Sequence, residues 1–388
     1  MSREKDLRGT TSVVGVAEAG VGEVGPGVSA LDIIGRATAD ALADAGLSLA
    51  DVDGLFCHSA FFPFPATTVA QYLGIRPRYF DTTATGGSSF VAHLRHATAA
   101  IHAGMCDVAL ITYGSVQRSA GGGLTTSGAP LTRTYEERFG ARVPVSGYAL
   151  AAARHMHEFG TTREQLAEVA VAARAWAQLN PAAFMRDPLS VNDVLSSRMV
   201  SSPLTVRDCC LVTDGAGAVV VTSTERARTL RGTPVPILGV GEASSHMDIS
   251  SMPDLTTTSA TASGARAFDV AGLGPADVDV VELYDAFTIN TILFLEDLGF
   301  CAKGEGGAFV ADGAIGPKGR LPVNTNGGGL SYAHPGMYGI FLVIEAVRQL
   351  RGEAGDRQVA DAHVGLVHGN GGILSSQVTA LLGDLSTL

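Results

Sequence analysis

Three short segments concentrate residues that could move protons or hold a charged oxygen. Tyr284-Asp285-Ala286-Phe287 follows the apolar run Val280-Val281-Glu282-Leu283. Asn324-Thr325-Asn326-Gly327-Gly328-Gly329 runs on to Tyr332-Ala333-His334-Pro335-Gly336, and His368-Gly369-Asn370-Gly371-Gly372 follows Val364-Gly365-Leu366-Val367. Histidine and aspartate transfer protons near neutral pH, while glycine lets backbone approach a ligand and present N–H groups. All three segments stand at strand-to-helix or strand-to-loop junctions, so a fold that gathers one end of these strands would make them one site. Each has a plainer reading. A histidine before proline is commonly structural, Tyr284 can be a strand-end aromatic, and Asp285 can cap the following helix through its carboxylate. A change of register would turn His368 away, and of Tyr332 and Tyr338, which flank His334, one can simply pack in the core.

The elements that must carry these segments are legible as a repeat. Residues 45–53 read AGLSLADVD and residues 271–279 read AGLGPADVD, each after a helical-looking run and before a short apolar strand. The same offset puts His58 opposite Tyr284. In the first half Thr85-Gly86-Gly87-Ser88 opens the helix FVAHLRHATAAIHAG, and the strand Val108–Thr112 follows. In the second, His334-Pro335-Gly336-Met337 opens IFLVIEAVRQLRG before Val364–Val367. Continuous apolar strands between helices predict an α/β fold with a parallel-type sheet covered on both faces. The halves are placed at about 1–225 and 232–388. Between their motifs, residues 115–207 exceed what a crossover needs. They begin as a Gly-, Thr- and Arg-rich loop. A helix follows, with Thr161 or Thr162 as N-cap and Glu164 or Gln165 in its first turn. This predicts a loop subdomain over the site. Its Arg118, Arg133 and Arg186 are candidates for phosphate contacts, against the plainer reading of solvated charge.

Composition narrows the class. The 388 residues are 46% hydrophobic and 17% charged, which fits two well-filled domains with subunit contacts. A net charge of −11 argues against nonspecific binding to nucleic acid or anionic membrane. Cysteines at 57, 106, 209, 210 and 301 show no metal-ligand spacing and no disulfide framework. The polar start MSREKDLRGTT lacks an apolar signal core, and no uninterrupted apolar stretch could span a bilayer. A cytoplasmic enzyme without a metal is the expectation.

Taken together, the segments resemble the thiolase superfamily, and most closely its branch of sterol-carrier-protein thiolases and thiolase-like lipid-transfer proteins. The similarity covers nearly the whole chain and includes Leu204-Thr205-Val206-Arg207-Asp208-Cys209-Cys210 and Thr213-Asp214-Gly215-Ala216. It implies two pseudo-symmetric halves in a five-layered αβαβα arrangement. His334 matches the histidine that lines the oxyanion hole and activates the nucleophile. Tyr284-Asp285 matches a segment whose first residue orients a catalytic water or thioester oxygen. His368 falls near the second thiolase cysteine, which removes the α-proton. Gly371 and Gly372 would give N–H groups to an enolate oxygen, and Gly87, Ser88, Gly328 and Gly329 would line the substrate.

One departure outweighs these matches. Counting back from Gly104 and Asp107, the acyl-accepting cysteine falls on Gly87 or, with a shift of one, on Ser88. A serine hydroxyl is a poor substitute for a thiol already partly ionised near neutral pH. The resemblance then implies carbon–carbon cleavage beside an acyl-CoA thioester without an acyl-enzyme, such as a retro-aldol step. The alternatives are an acyl-CoA acyltransferase working through Ser88 or by direct transfer, and a noncatalytic acyl-CoA- or lipid-binding subunit. Coenzyme A would enter as part of the substrate, with no bound cofactor. A homodimer and a small OB-fold acyl-CoA-binding partner are the expected associations.

Overall fold

A computed structural model describes residues 3–122 and 135–388. Arg133 and much of the loop-like start of the insertion lie outside these residues. The first half contains β1 (Thr11–Gly22), α1 (Ala30–Ala45), β2 (Gly54–Cys57), α2 (Pro65–Leu73), β3 (Tyr79–Asp81), α3 (Ser89–His102) and β4 (Val108–Ser115). The insertion follows as α4 (Val145–Phe159), α5 (Arg163–Gln178), α6 (Val191–Leu195) and the hairpin β5 (Met199–Ser201) and β6 (Leu204–Thr205). The chain then forms β7 (Asp214–Ser223) and α7 (Thr224–Ala227). The second half has β8 (Val235–Ser244), α8 (Ala260–Ala271), β9 (Val280–Leu283), α9 (Thr288–Asp297) and α10 (Gly306–Val310). It ends with α11 (Gly339–Arg351), β10 (Val364–Gly371) and β11 (Ser376–Gly383).

Among the described residues, nine strands run in the order β3-β2-β4-β7-β1-β8-β11-β10-β9. The sheet is mixed, which corrects the parallel-type expectation. Only β2–β3, β2–β4 and β9–β10 are parallel, and the other neighbours are antiparallel. Unbroken apolar strands report burial on both faces, which a mixed sheet between helices also has. The two halves meet edge to edge only at Ser12–Pro236 and Val13–Val235. Helices α3 and α11 pack against strands of both halves, whereas α1 covers β1, β4 and β7 and α8 covers β8 and β11. The layers therefore read helix, sheet, paired central helices, sheet, helix.

The repeat performs the same task twice. Gly46 and Gly272 end α1 and α8 in the left-handed region, at φ 70° and 67°, where glycine carries no Cβ penalty. The closing aspartate of each motif then holds the neighbouring parallel strand. Asp53 accepts the Asp107 and Val108 N–H groups, both at 2.8 Å, and Asp279 accepts those of His363 and Val364 at 2.8 and 2.9 Å. Hydrogen bonds to a charged group contribute about 1.5–3 kcal/mol each, so these two carboxylates set the register of β2 against β4 and of β9 against β10.

The insertion is built as its capping signals suggest: Thr162 caps α5 and closes a reciprocal box with Gln165. Helix α5 lies on the glycine loop after Asn324. The Arg174 Nε donates to Ser331 Oγ at 2.9 Å and the Asn180 Nδ2 donates to the Asn326 carbonyl at 2.9 Å.

On α3, His93 is fully buried among Phe56, Phe90 and His96, and neither ring nitrogen has a partner among the described residues. Burial lowers its pKa to about 3, with Asp81, His96 and His58 as the titratable groups around it. The unfolded chain takes up this proton below its ordinary value of about 6.5 while the fold refuses it, so its contribution to stability is lost on acidification. His93→Leu should remove about 1.4 kcal/mol per pH unit from the stability slope between about pH 6 and 4. Urea denaturation of both proteins across that range checks it.

Candidate active site

Tyr284 follows directly on β9, and its N–H donates to the His368 carbonyl at 3.0 Å. Its side chain turns inward, where the phenol oxygen accepts the Tyr338 N–H at 3.1 Å and lies 3.1 Å from His334 Nε2. The two rings meet edge to face, with centroids 5.6 Å apart. His334 is aimed by Thr213, whose Oγ1 accepts the His334 N–H at 3.0 Å. Burial lowers the imidazole to about 4 and pushes the phenol well above its usual range. Both groups are therefore neutral near pH 7 and share one hydrogen bond, which makes them a proton donor–acceptor pair.

Gly87 is glycine because of this tyrosine. A Cβ on Gly87 would lie 2.1 Å from Tyr284 Cε2, inside any permitted contact. The position that the thiolase resemblance assigns to a nucleophilic thiol is thus filled by an aromatic ring from the other half. Ser88 does not take its place. It is fully buried, and its Oγ bonds the Thr85 carbonyl at 2.9 Å, Thr85 Oγ1 at 3.1 Å and Ser376 Oγ at 3.0 Å. No histidine is among these partners; Ser88 braces its own turn.

Asp285 and the glycine loop serve one another. The Asp285 carboxylate accepts the Gly329 N–H at 2.5 Å and the Leu330 N–H at 3.4 Å, while the Gly328 N–H goes to Asn326 Oδ1 at 2.8 Å. A Cβ on Gly328 would sit 2.0 Å from Asp285 Oδ2, so glycine there makes room for the carboxylate. The loop forms one wide turn, Gly328–Tyr332, closed by Ala333 N–H to the Gly328 carbonyl at 3.3 Å. Asp285 anchors this turn rather than capping α9, and burial raises its pKa to about 7. Gly371 and Gly372 meet the Gly86-Gly87 turn backbone to backbone. A Cβ on Gly371 would lie 1.6 Å from the Thr85 carbonyl oxygen, and one on Gly86 would lie 3.1 Å from the Gly372 nitrogen.

His368 lends its carbonyl to Tyr284, but its imidazole is turned elsewhere. Nδ1 is 2.9 Å from Thr379 Oγ1, Nε2 is 2.9 Å from Gln377 Oε1, and Phe294 lies against the ring at 4.5 Å. Both nitrogens are occupied, and the Tyr284–His334 pair is not among their partners. Sequence reasoning missed Tyr148 on α4. Its ring stacks on Phe287 at 4.4 Å, and its hydroxyl lies 2.8 Å from Asn370 Nδ2 and 2.9 Å from the Gly372 carbonyl. Its only signal was a large polar ring in an alanine-rich helix. The Asp208–Asp214 stretch crosses the site, with Cys210 N–H on the Ala286 carbonyl at 2.8 Å and Leu211 N–H on that of Gly329 at 2.9 Å. Of the candidate arginines, Arg118 pairs with Glu23 at 2.7 Å and covers Phe184, and Arg186 reaches the Gln178 carbonyl at 3.4 Å.

The Thiolase C-terminal domain-like family matches residues 241–384. Acetyl-CoA acetyltransferase of Methanothermobacter thermautotrophicus is 37% identical over 376 residues, covering 93% of this chain and 96% of that protein. The chain belongs to the thiolase superfamily. The 17-hydroxy-3-oxo-4-pregnene-20-carboxyl-CoA lyase of Mycobacterium tuberculosis is 35% identical over 390 residues, 94% of this chain and 97% of that protein. The solved Ltp2-ChsH2(DUF35) aldolase superposes with a TM-score of 0.89 at 34% identity, covering 97% of this chain and 98% of that one. Among the described residues no helix is long and apolar enough to cross a membrane.

Restoring the thiol should not restore thiolase chemistry here. Gly87→Cys drives a Cβ into Tyr284 and displaces it from His334. A misplacement of about 1 Å costs about 100-fold in rate. We expect at least that loss of the native activity, and no acyl adduct by intact mass spectrometry after incubation with acyl-CoA.

Proposed function

We propose that this thiolase-superfamily enzyme cleaves the Cα–Cβ bond of a bulky β-hydroxyacyl-CoA by a retro-aldol step, without an acyl-enzyme. One observation carries the reading: Tyr284, hydrogen-bonded to His334, occupies the space over Gly87 that a nucleophilic thiol would need. The relatives named as lyase and aldolase support it.

In this mechanism His334, a neutral imidazole above about pH 4, takes the β-hydroxyl proton at Nε2. The C–O bond becomes a carbonyl as the Cα–Cβ bond breaks, and its electron pair moves into the thioester as an enolate. Backbone N–H groups of Gly87 and Gly372 hold the enolate oxygen, the kind of donor worth about 100- to 1,000-fold in rate. Tyr284 hydrogen-bonds the reacting oxygen and passes the proton to Cα. The products are a carbonyl compound and a shortened acyl-CoA. Coenzyme A takes part only within the substrate. Asp285, Gly328 and Gly329 act on the wall of the site, and His368 acts behind it.

We place the enzyme in the cytoplasm as a homodimer that works with a small OB-fold acyl-CoA-binding partner. The exposed Phe80 on edge strand β3 and the exposed Phe61 and Phe64 just before α2 support the dimer, and the composition of the Ltp2-ChsH2(DUF35) aldolase supports the partner.

His334→Ala and Tyr284→Phe should each lower kcat by about 100- to 10,000-fold on a β-hydroxyacyl-CoA. Wild-type kcat/KM should fall on the acid side near pH 4, where His334 takes its proton. Mass-spectrometric product analysis over a panel of β-hydroxy- and β-ketoacyl-CoA esters checks both. A panel without any cleavage removes the reading.

The acetyltransferase relative favours acyl transfer as a second reading, and thiol chemistry separates the two. Burial raises Cys57, Cys106, Cys209 and Cys301 to about 12 and pushes Cys210 well above the ordinary thiol value. None is an activated thiolate. Activity should survive iodoacetamide under native conditions. Inactivation that tracks alkylation of one cysteine, or an acyl adduct on Ser88, would favour acyl transfer.

A further inference from the structure

A chain of buried polar side chains runs behind the site and ends on its backbone. It links Ser263, Thr379, His368, Gln377, Asn370 and Tyr148, all at most 2% exposed. The spacings are 2.9 Å from Ser263 Oγ to Thr379 Oγ1, and 2.9 Å from there to His368 Nδ1. Then follow His368 Nε2 to Gln377 Oε1 at 2.9 Å, Gln377 Nε2 to Asn370 Oδ1 at 2.9 Å and Asn370 Nδ2 to the Tyr148 hydroxyl at 2.8 Å. The hydroxyl meets the Gly372 carbonyl at 2.9 Å.

The terminal carbonyl dictates the direction of every hydrogen in the chain. A carbonyl oxygen only accepts, so Tyr148 spends its single O–H on Gly372 and must accept from the Asn370 amide. The Asn370 oxygen then accepts from Gln377. The Gln377 oxygen in turn requires a proton on His368 Nε2, leaving Nδ1 to accept from Thr379. No member can turn without stranding a buried donor or acceptor, which costs about 1–3 kcal/mol.

We propose that this relay is a positioning device: His368, Gln377, Asn370 and Tyr148 hold the Gly371-Gly372 turn in register with Gly86-Gly87, and so set the hole for the enolate oxygen. The turn needs such a hold. Gly372 has φ 65°, and a Cβ on Gly86 would already lie 3.1 Å from its nitrogen, so the two turns have little slack. Tyr148 comes from α4 and His368 from β10, so the relay also ties the insertion to the second half across the site. His368 thereby acquires a role other than α-proton removal. The inference rests on the retro-aldol reading for what the turn does, and on the hydrogen bonds alone for what holds it.

Two near-isosteric variants break the last links. Tyr148→Phe removes the donor to Gly372. Asn370→Asp presents an acceptor to Tyr148, so that its O–H turns from Gly372 to the new carboxylate. Both variants and the double variant are made in the full chain and assayed on whichever β-hydroxyacyl-CoA the wild type cleaves. Amide hydrogen exchange of residues 370–375 is followed in parallel. Each single variant should lower kcat by about 10- to 100-fold with KM unchanged, since only the transition state carries the enolate charge. The double variant should be no worse than the weaker single one, because both cut one chain. Exchange at the turn should quicken in all three.

Wild-type kcat in the single variants, multiplying losses in the double variant, or unchanged exchange would each overturn the relay; lowered thermal stability with normal kcat would reduce it to packing. A wild type without lyase activity would sink the retro-aldol reading, and exchange would then decide on the relay alone.

Discussion

Everything at this site depends on one close approach: the ring of Tyr284 resting on a backbone without a side chain at Gly87. A ring that reaches the first half from β9 needs Gly87 bare and the two halves of the sheet pressed against shared central helices. It also needs β9 held at the right height beside β10. Asp279 supplies the last of these by gripping the His363 and Val364 amides. The same contact decides the chemistry, because no thiol and a tyrosine ring can occupy that space together.

The glycines of the site serve packing more than binding. Gly328 makes room for the Asp285 carboxylate, Gly371 for the Thr85 carbonyl and Gly86 for the Gly371-Gly372 turn. The N–H groups of Gly328 and Gly329 are spent on Asn326 and Asp285, which removes them as ligands for an oxyanion. What remains available to a substrate is the meeting of the first and last glycine turns, one from each half. The site is therefore a property of the interface between the halves.

Electrostatically the candidate site is governed by burial. Burial keeps His334 and His368 neutral and Tyr284 protonated, and it raises Asp285 towards neutrality. Fixed dipoles and hydrogen bonds do the holding here, and they strengthen where water is excluded. That setting suits a reaction whose negative charge appears only briefly, on an enolate oxygen.

The sequence by itself determined the duplication, the halves' shared strand–turn–helix–strand plan, the capping of α5, Tyr284 and His334 as separate candidates and the loss of the thiol. These rest on local patterns: repeated residues, apolar runs and missing side chains at counted positions. Only the tertiary structure decided where side chains point. The sheet direction was invisible because burial on both faces looks alike in parallel and mixed sheets. His368 went astray because a strand residue's side chain is aimed by sheet register, and here the Thr379 and Gln377 of β11 receive it. Tyr148 had no motif at all, since its partners Asn370, Gly372 and Phe287 lie more than a hundred residues away along the chain and meet it only when the insertion folds over the second half.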